Sequence, residues 1–338
     1  MNLRYRFLAS LAILAAGGCG EPAPVEFRLS GSAMGTTFNV AIVARRDFDD
    51  EHWRQHVHAV LGEVDARMST YREDSEVTRF NRSTSTGWFD VSPQLCRAVS
   101  QSLDLNARTG GAFDITVAPL VDIWGFGPGG ARTAPPDNAD IDAALRSTGS
   151  GRLRADCTRG ALRKEIPGLQ IDLSGFAKGL AADLVAAGFD DGGLRNYLVE
   201  VGGELRTRGL NAEGRPWRIA IETPDSDGRA IERIVPWSDG AVATSGDYRN
   251  YFESGGRRYS HTIDPRTGRP VTHRLASASV LAGTAAEADA LATALMVLGP
   301  DAALEFAERE NVAAYLLVRD GDGFTERMSP AFAALAAE

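Results

Sequence analysis

Cysteine is scarce in this chain, with three in 338 residues, and no pair of them shows C-x-x-C or another metal or redox spacing. Basic clusters are missing as well. Lys and Arg number 36 against 45 Asp and Glu, for a formal charge of −9. Nucleic-acid binding needs a clustered cationic surface to neutralise phosphates, so that class is excluded. No apolar run reaches the length of a membrane span. There is no G-x-S-x-G elbow either, so nothing supports a Ser-His-Asp hydrolase of the kind that uses one. What remains is 43% hydrophobic and 24% charged, which is globular composition and excludes general disorder.

The N-terminus reads as an address. Arg4 and Arg6 stand without an acid, Leu8 to Ala16 is a short apolar run, and Ala16-Gly17-Gly18 precede Cys19. That pattern is a secretory signal. A cysteine directly after the small residues resembles a bacterial lipobox, with Ala16 where Leu is usual, and makes Cys19 the lipidated first residue. A plain signal with a chance cysteine is the alternative. The spacing predicts a lipoprotein signal at 1–18, a Pro-containing tether at 19–26 and one domain at 27–338, lipid-anchored and facing the periplasm from the inner membrane. Such a compartment permits disulfides. Cys96 falls in a helix and Cys157 in a strand or turn, and their separation carries no pattern, so the expectation is two independent buried thiols.

Along the domain, Thr37–Val43 reads as a strand, and Asp49–Tyr71 has a helical stripe through Trp53, Val57, Leu61, Val64 and Met68. Ser92 caps a helix that runs to Thr109 and stops at Gly110-Gly111. A short helix at Asp137–Arg146 and a helix at Ser174–Ala187 follow. Strands are expected at Tyr197–Val201, Trp217–Glu222, Ile231–Pro236, Ala276–Leu281 and Ala313–Val318. Helices are expected at Ala285–Leu298 and Asp301–Glu310. Strands and helices do not alternate strictly, which argues against a doubly wound parallel sheet. The fold class expected is α+β, a single large domain of mixed or antiparallel sheet packed with helices.

Three places concentrate chemistry. In Ala285–Leu298, capped by Thr284 with Glu287 and stopped by Gly299-Pro300, nearly every residue is Ala, Leu, Met or Val. Asp289 and Thr293 interrupt it one turn apart on one face. A carboxylate there is costly unless paired or bound to metal. Its oxygens suit a hard cation such as Mg²⁺, and a neighbouring Arg would satisfy it equally well. The second place is Asp172-Leu173-Ser174-Gly175-Phe176-Ala177-Lys178-Gly179, where a helix start offers free amides and Lys178 adds charge. A solvated Lys on an ordinary helix is the bland reading, and the glycines of this segment fit neither nucleotide-loop spacing. The third is a pair of polar turns, Ala243–Arg249 and Tyr259–Pro265, the latter carrying His261. His52 and His56 stand at metal spacing on a charged helix, but no further ligand supports them.

Together these segments resemble the ApbE-type FAD:protein FMN transferases. The matching runs are Met34-Gly35-Thr36, Met68-Ser69-Thr70-Tyr71, Gly110 to Val117, Trp124-Gly125-Phe126-Gly127, Asp172–Gly179, Val201-Gly202-Gly203, Ala243–Tyr248, His261–Gly268 and Ala288–Thr293. Each run is short, but their order along the whole mature chain is specific. The resemblance implies that Met34, Tyr71, Ala112, Phe113, Asp114, Asp172, Lys178 and Ile263 contact FAD. It also implies that Asp289, Thr293 and the main-chain oxygen of Gly175 hold Mg²⁺, and that His261 stands near the reacting hydroxyl. The activity implied is transfer of FMN from FAD to a Thr or Ser hydroxyl of an acceptor protein, with release of AMP. Acceptors are expected among subunits of membrane redox complexes, such as Na⁺-pumping quinone reductase. An FAD pyrophosphatase, with water as acceptor, and a non-catalytic FAD-binding lipoprotein are the alternatives.

Overall fold

A computed structural model describes residues 23–224, 231–248 and 250–336. The signal, Cys19 and Arg249 lie outside the described residues. Eight antiparallel strands cross the main sheet in the order in which the chain makes them. They are Val25–Ala33, Thr36–Ala44, Tyr197–Val201, Glu204–Arg208, Gly240–Gly246, Leu275–Ala282, Ala313–Asp320 and Gly323–Met328. The α+β expectation holds, and the antiparallel form is the one adopted. Val25 and Glu26, read above as the end of the tether, open the first strand and pair with Ala44 and Val43. The first hairpin turns through Met34 and Gly35, both at positive φ, the conformation a two-residue turn between twisted strands requires.

Most functional segments are insertions between neighbouring strands of this meander, joined by residues at the ends of Glu204–Arg208 and Gly240–Gly246. The longest, between Ala44 and Tyr197, builds the helices Asp50–Met68, Pro93–Arg108 and Ala177–Asp191. A shorter one between Ala282 and Ala313 builds Ala285–Leu298 and Pro300–Arg309. These helices cover one face of the sheet in a single large core. The hairpin of Trp217–Glu222 with Ile231–Trp237 and the helix Pro330–Ala336 cover the other face around Tyr315, Leu317 and Phe332. Leu275–Ala282, in the middle, is consequently buried on both faces for nearly its whole length. It reads as an uninterrupted apolar and small-residue run rather than an alternating one.

Ala285–Leu298 runs as its caps dictate: the Thr284 hydroxyl accepts from the Glu287 amide at 3.3 Å, and Gly299 at φ 79 ends it. The Glu287 carboxylate turns away to Arg108 at 2.8 Å rather than back to the cap. A second cap comes from a different element, since both Asp183 oxygens accept from the Ala285 and Ala286 amides at 2.9 Å. The helix Ala177–Asp191 presses against it so closely that a Cβ on Gly179 would sit 2.2 Å from the Ala285 carbonyl oxygen. Only glycine fits there.

The expectation of two free thiols is wrong. Cys96 and Cys157 form a disulfide, with Cα atoms 5.5 Å apart. Cys96 lies in the first turn of the helix that packs on Leu153–Asp156, and Cys157 begins the turn leaving that strand. Pairing depends on this tertiary contact, which a sequence separation of 61 residues does not encode. Closing a loop of that length restricts the unfolded chain by about 4 kcal/mol on the loop-entropy view. Cys157→Ser is therefore expected to lower unfolding stability by a large part of that amount, read as a drop in the urea midpoint. An unchanged midpoint under oxidising conditions would show that the bond does not stabilise the fold.

Candidate active site

A cleft of about 420 Å³ opens where the insertions meet at one edge of the helical layer. Its walls bring together Tyr71, Ala112, Phe113, Asp114, Asp172 and Gly175 with Lys178, His261, Ile263, Asp289 and Thr293. Met34 alone among the predicted residues is not part of this lining. It sits at the tip of the first hairpin, in a shallow hollow with Ser32 to Thr37, and its side chain packs on the main core.

The floor is an ionic knot. Asp289 is only 3% exposed, and its Oδ2 lies 3.7 Å from Lys178 Nζ and accepts from the Gly179 amide at 3.4 Å. Among the described residues no arginine satisfies it. Lys178 Nζ also lies 3.4 Å from Glu204 Oε1 and donates to the Ser174 carbonyl at 2.9 Å. Burial alone would lower the Lys178 ammonium, but Asp289 and Glu204 outweigh it and hold the lysine charged. Glu204 is itself 5% exposed, and burial pushes its carboxyl up to about 8 against the pull of Lys178. Burial raises Asp289 as well. Two acids thus share one cation in a dry site, which favours retention of a proton between them. Glu204 Oε2 has no hydrogen-bond partner among the described residues.

Glu204 carries no mark in the sequence. It follows Gly203 at the start of an ordinary-looking strand, Glu-Leu-Arg-Thr-Arg, and nothing in that pattern marks it. Asn250 was also missed, and Ser245 was placed in a turn. The Ala243–Tyr248 segment is instead largely an interior strand, Gly240–Gly246, between Glu204–Arg208 and Leu275–Ala282. Its small residues lack the β-branched signature, and burial on both faces removes the alternation. Ser245 Oγ from this strand lies 3.3 Å from Thr293 Oγ1.

Gly175 backs onto Thr293, since a Cβ there would come within 2.9 Å of Thr293 Oγ1. Its main chain therefore borders the Asp289 and Thr293 side chains. The donor set is one carboxylate, one hydroxyl and a peptide oxygen, all hard oxygens. Among the described residues no group of three His, Cys, Asp or Glu could hold a metal, so a cation at this place would depend on neutral oxygens and ligand phosphates. The N-cap residue of the helix beginning at Ala177, Phe176, gives no side-chain cap; the Ala177 amide donates to the Leu173 carbonyl at 2.8 Å and the Gly179 amide to Asp289, and this end borders the cleft beside Lys178.

Two predicted acids are largely occupied by their own loops. Asp114 Oδ1 accepts from the Thr116 amide at 2.7 Å, the Thr116 hydroxyl at 2.6 Å and the Ser150 hydroxyl at 2.7 Å. The Phe113 backbone is held from the preceding helix, its amide donating to Thr109 Oγ1 at 3.1 Å and its carbonyl accepting from Asn106 at 2.7 Å. Asp172 Oδ1 accepts from the Ser174 amide at 2.7 Å and hydroxyl at 2.5 Å, shaping the turn into Gly175. Upstream, Asn81 clamps both the Ile171 amide and its carbonyl at 2.8 Å. The buried Lys164 donates to the Leu169 carbonyl at 2.9 Å and the Phe80 carbonyl at 3.1 Å. The loop bearing Asp172 is thus held from behind. Tyr71, 67% exposed, reaches across the mouth and donates to the Phe126 carbonyl at 3.2 Å.

Opposite the knot stands His261. Its Nδ1 is 3.0 Å from the Asn250 carbonyl oxygen, and only a protonated Nδ1 can bond to that acceptor. This assigns the lone pair to Nε2. Burial and the nearby Lys178 pull the imidazole below its ordinary value, against the Asn250 carbonyl and Asp247. The ring is accordingly neutral at pH 7 and able to take a proton. Asp247 is itself gripped by Arg319 at 2.9 and 2.5 Å, which steadies the loop carrying Asn250. The arrangement offers an anion and cation site on one wall and a neutral base on the other.

Comparison with known proteins places nearly the whole chain among relatives of one family. The ApbE family matches residues 34–316. A Vibrio cholerae relative called FAD:protein FMN transferase is 45% identical over 326 residues, 96% of each chain. An Escherichia coli relative of the same name is 41% identical over 335 residues, 95% of each chain. Among solved structures, the Pseudomonas stutzeri flavinyl transferase ApbE in its apo form superposes with a TM-score of 0.86 at 41% identity, covering 93% of this chain and 98% of that one. The Vibrio cholerae flavin transferase ApbE gives 0.84 at 43% identity, covering 92% and 99%. With a matching cleft-bearing fold along nearly its whole length, the chain belongs to the ApbE family.

Proposed function

We propose that this protein transfers the FMN portion of FAD to a Thr or Ser hydroxyl of an acceptor protein, releasing AMP, in a Mg²⁺-dependent reaction. The observation that carries the reading is the pairing, across one cleft, of the Lys178–Glu204–Asp289 knot with a tautomer-fixed His261. In the reaction the acceptor oxygen bonds to the FMN-side phosphorus, the P–O bond to AMP breaks, and AMP leaves with the bridging oxygen. His261 Nε2 takes the hydroxyl proton. Lys178, in the first turn of Ala177–Asp191, holds the diphosphate and offsets charge that grows on it. Asp289, Thr293 and the Gly175 carbonyl would hold Mg²⁺, which when bound supplies Lewis-acid stabilisation of the phosphoryl oxygens. Phe113, Ile263 and Tyr71 give apolar and aromatic surface for the flavin, and Asp114 and Asp172 keep the loops beneath it in shape.

Co-expression with a candidate acceptor subunit of a membrane redox complex, followed by intact mass, tests the proposal. An FMN-sized adduct is the expected result. Free FMN and AMP with an unmodified acceptor would make the protein a pyrophosphatase, and unchanged FAD would make it a carrier.

The same reading places the domain at the periplasmic face of the inner membrane, anchored through Cys19. No helix among the described residues is long and apolar enough to cross a membrane, so attachment would rest on the lipid. Cys19→Ser is expected to remain unlipidated, while the domain from Glu21 onward is expected to keep its activity in solution. Labelled palmitate entering the Ser variant would remove Cys19 as the attachment point.

A further inference from the structure

Behind the cleft wall lies a second hollow, of about 630 Å³, that the reaction leaves unused. The wall between them is one strand thick. Ile263 and Pro265 line the cleft, while Asp264 and Arg266 line the hollow, the alternation an extended chain imposes. The same chain continues backwards from His261 into the hairpin of Tyr251–Ser254 with Arg257–Ser260, so the hollow and the catalytic histidine share one piece of backbone.

Charge sets this hollow apart. Four arginines line it, Arg257, Arg258, Arg266 and Arg269, against the single acid Asp264. Asp264 is used up by Arg266, which grips it through two contacts of 2.9 Å. Arg269 donates to the neutral Asn138 amide oxygen at 2.6 Å, and Arg258 to the Asp247 carbonyl at 2.7 Å. Arg257 has no carboxylate within ion-pair distance among the described residues. Its guanidinium lies 5.4 Å from the centre of the Tyr259 ring, and Arg258 lies 3.6 Å from that of Tyr251. Tyr259 is stacked between Trp124 and Phe252, at 5.6 and 5.0 Å. Aromatic support of this kind holds guanidinium groups in place before a ligand arrives, which reduces the ordering cost of binding. A surplus of fixed cations in a chain with 45 acids and 36 bases calls for an anionic partner.

We propose that this hollow docks an acidic stretch of the acceptor protein, a few residues from the hydroxyl that enters the cleft. The inference rests on the transferase reading and names the chemistry of its partner. Carboxylates match arginine forks bidentately. An extended chain advances about 3.3 Å per residue, so crossing a wall one strand thick takes only a few residues.

The test uses two fluorescent 12-residue peptides, each with one threonine, one carrying Asp and Glu on the flank and the other Asn and Gln. Anisotropy is read with the full domain and FAD, while flavin fluorescence reports FAD affinity on the same samples. The acidic peptide is expected to bind about ten-fold more tightly at low salt, with the preference fading as salt rises. Arg257→Glu should abolish the preference with FAD affinity unchanged, and among the described residues this side chain makes no hydrogen bond whose loss would disturb the fold. Equal binding of the two peptides, or an acid preference that survives in Arg257→Glu and in Arg257→Gln/Arg258→Gln, overturns the proposal. So does binding of phosphatidylglycerol vesicles without any peptide preference, which would make the hollow a lipid-headgroup site. FAD bound normally without acid preference sinks the docking surface alone. Failure of the wild-type domain to bind FAD sinks the transferase reading beneath it.

Discussion

Replacement of Asp289 by Ala is expected to eliminate Mg²⁺-dependent turnover, a loss on the order of 10³-fold or more for the removal of a charge-stabilising group from a dry site. The carboxylate is buried in an apolar helix whose caps, Thr284 and Gly299, are untouched by the change. Lys178 keeps Glu204 at 3.4 Å as its counter-ion, so no cation is stranded and the fold should survive. The measurement is turnover across a Mg²⁺ titration beside thermal unfolding of the same sample. Full activity at any Mg²⁺ concentration would remove Asp289 from the metal site. Unfolding would instead mean that the acid serves mainly to pair with Lys178, and Asp289→Asn would then separate the two roles by keeping shape while removing charge.

His261→Ala or His261→Asn is expected to slow transfer by about 10²–10⁴-fold, the usual contribution of a general base, with FAD affinity nearly unchanged. Single-turnover rates and flavin binding on one preparation decide this. A large affinity loss with an unaltered chemical step would make the histidine a binding or turn-forming residue. The pH dependence has a definite sign. Burial lowers the imidazole below its ordinary value, which is about 6.5, and only the neutral form accepts a proton. The rate should therefore persist as pH falls to 6.5 and decline only below it. That acid limb should vanish in the Asn variant. A limb centred above 6.5 would contradict the environment found for His261.

Much of the local architecture was legible because its causes are local. Ala285–Leu298 was bounded correctly from Thr284 and Gly299, since capping depends on residues adjacent in sequence. Tyr197–Val201 and Trp217–Glu222 were equally plain, for each alternates between a buried and a less buried side. Asp289 and Thr293 stood out as polar residues one turn apart in an apolar helix, and they do meet the cleft together. The recognition of the family rested on the order of short runs, which tertiary contacts do not alter.

Other features were decided by contacts between distant segments. The Cys96–Cys157 bond needs the Pro93–Arg108 helix to lie on Leu153–Asp156, and no spacing rule contains that meeting. Glu204 is an ordinary strand residue until the sheet places it 3.4 Å from Lys178. Its raised pKa comes from burial and from the nearby Asp289, against the pull of Lys178, and not from the residue type. Ala243–Arg249 reads as a turn, yet its first four residues end the strand Gly240–Gly246, because strands covered on both faces lose the alternation that marks a strand. Asp114, which the resemblance puts against FAD, is also bound by Ser150, far along the chain, a contact that no local pattern contains. The sequence by itself determined the helices, most strand positions and the residue types available for chemistry, because propensity, periodicity and capping act over a few residues. The tertiary structure decided which charges meet, which thiols join and which nitrogen of His261 is free. Those outcomes follow from burial and distance, which exist only once the chain has folded.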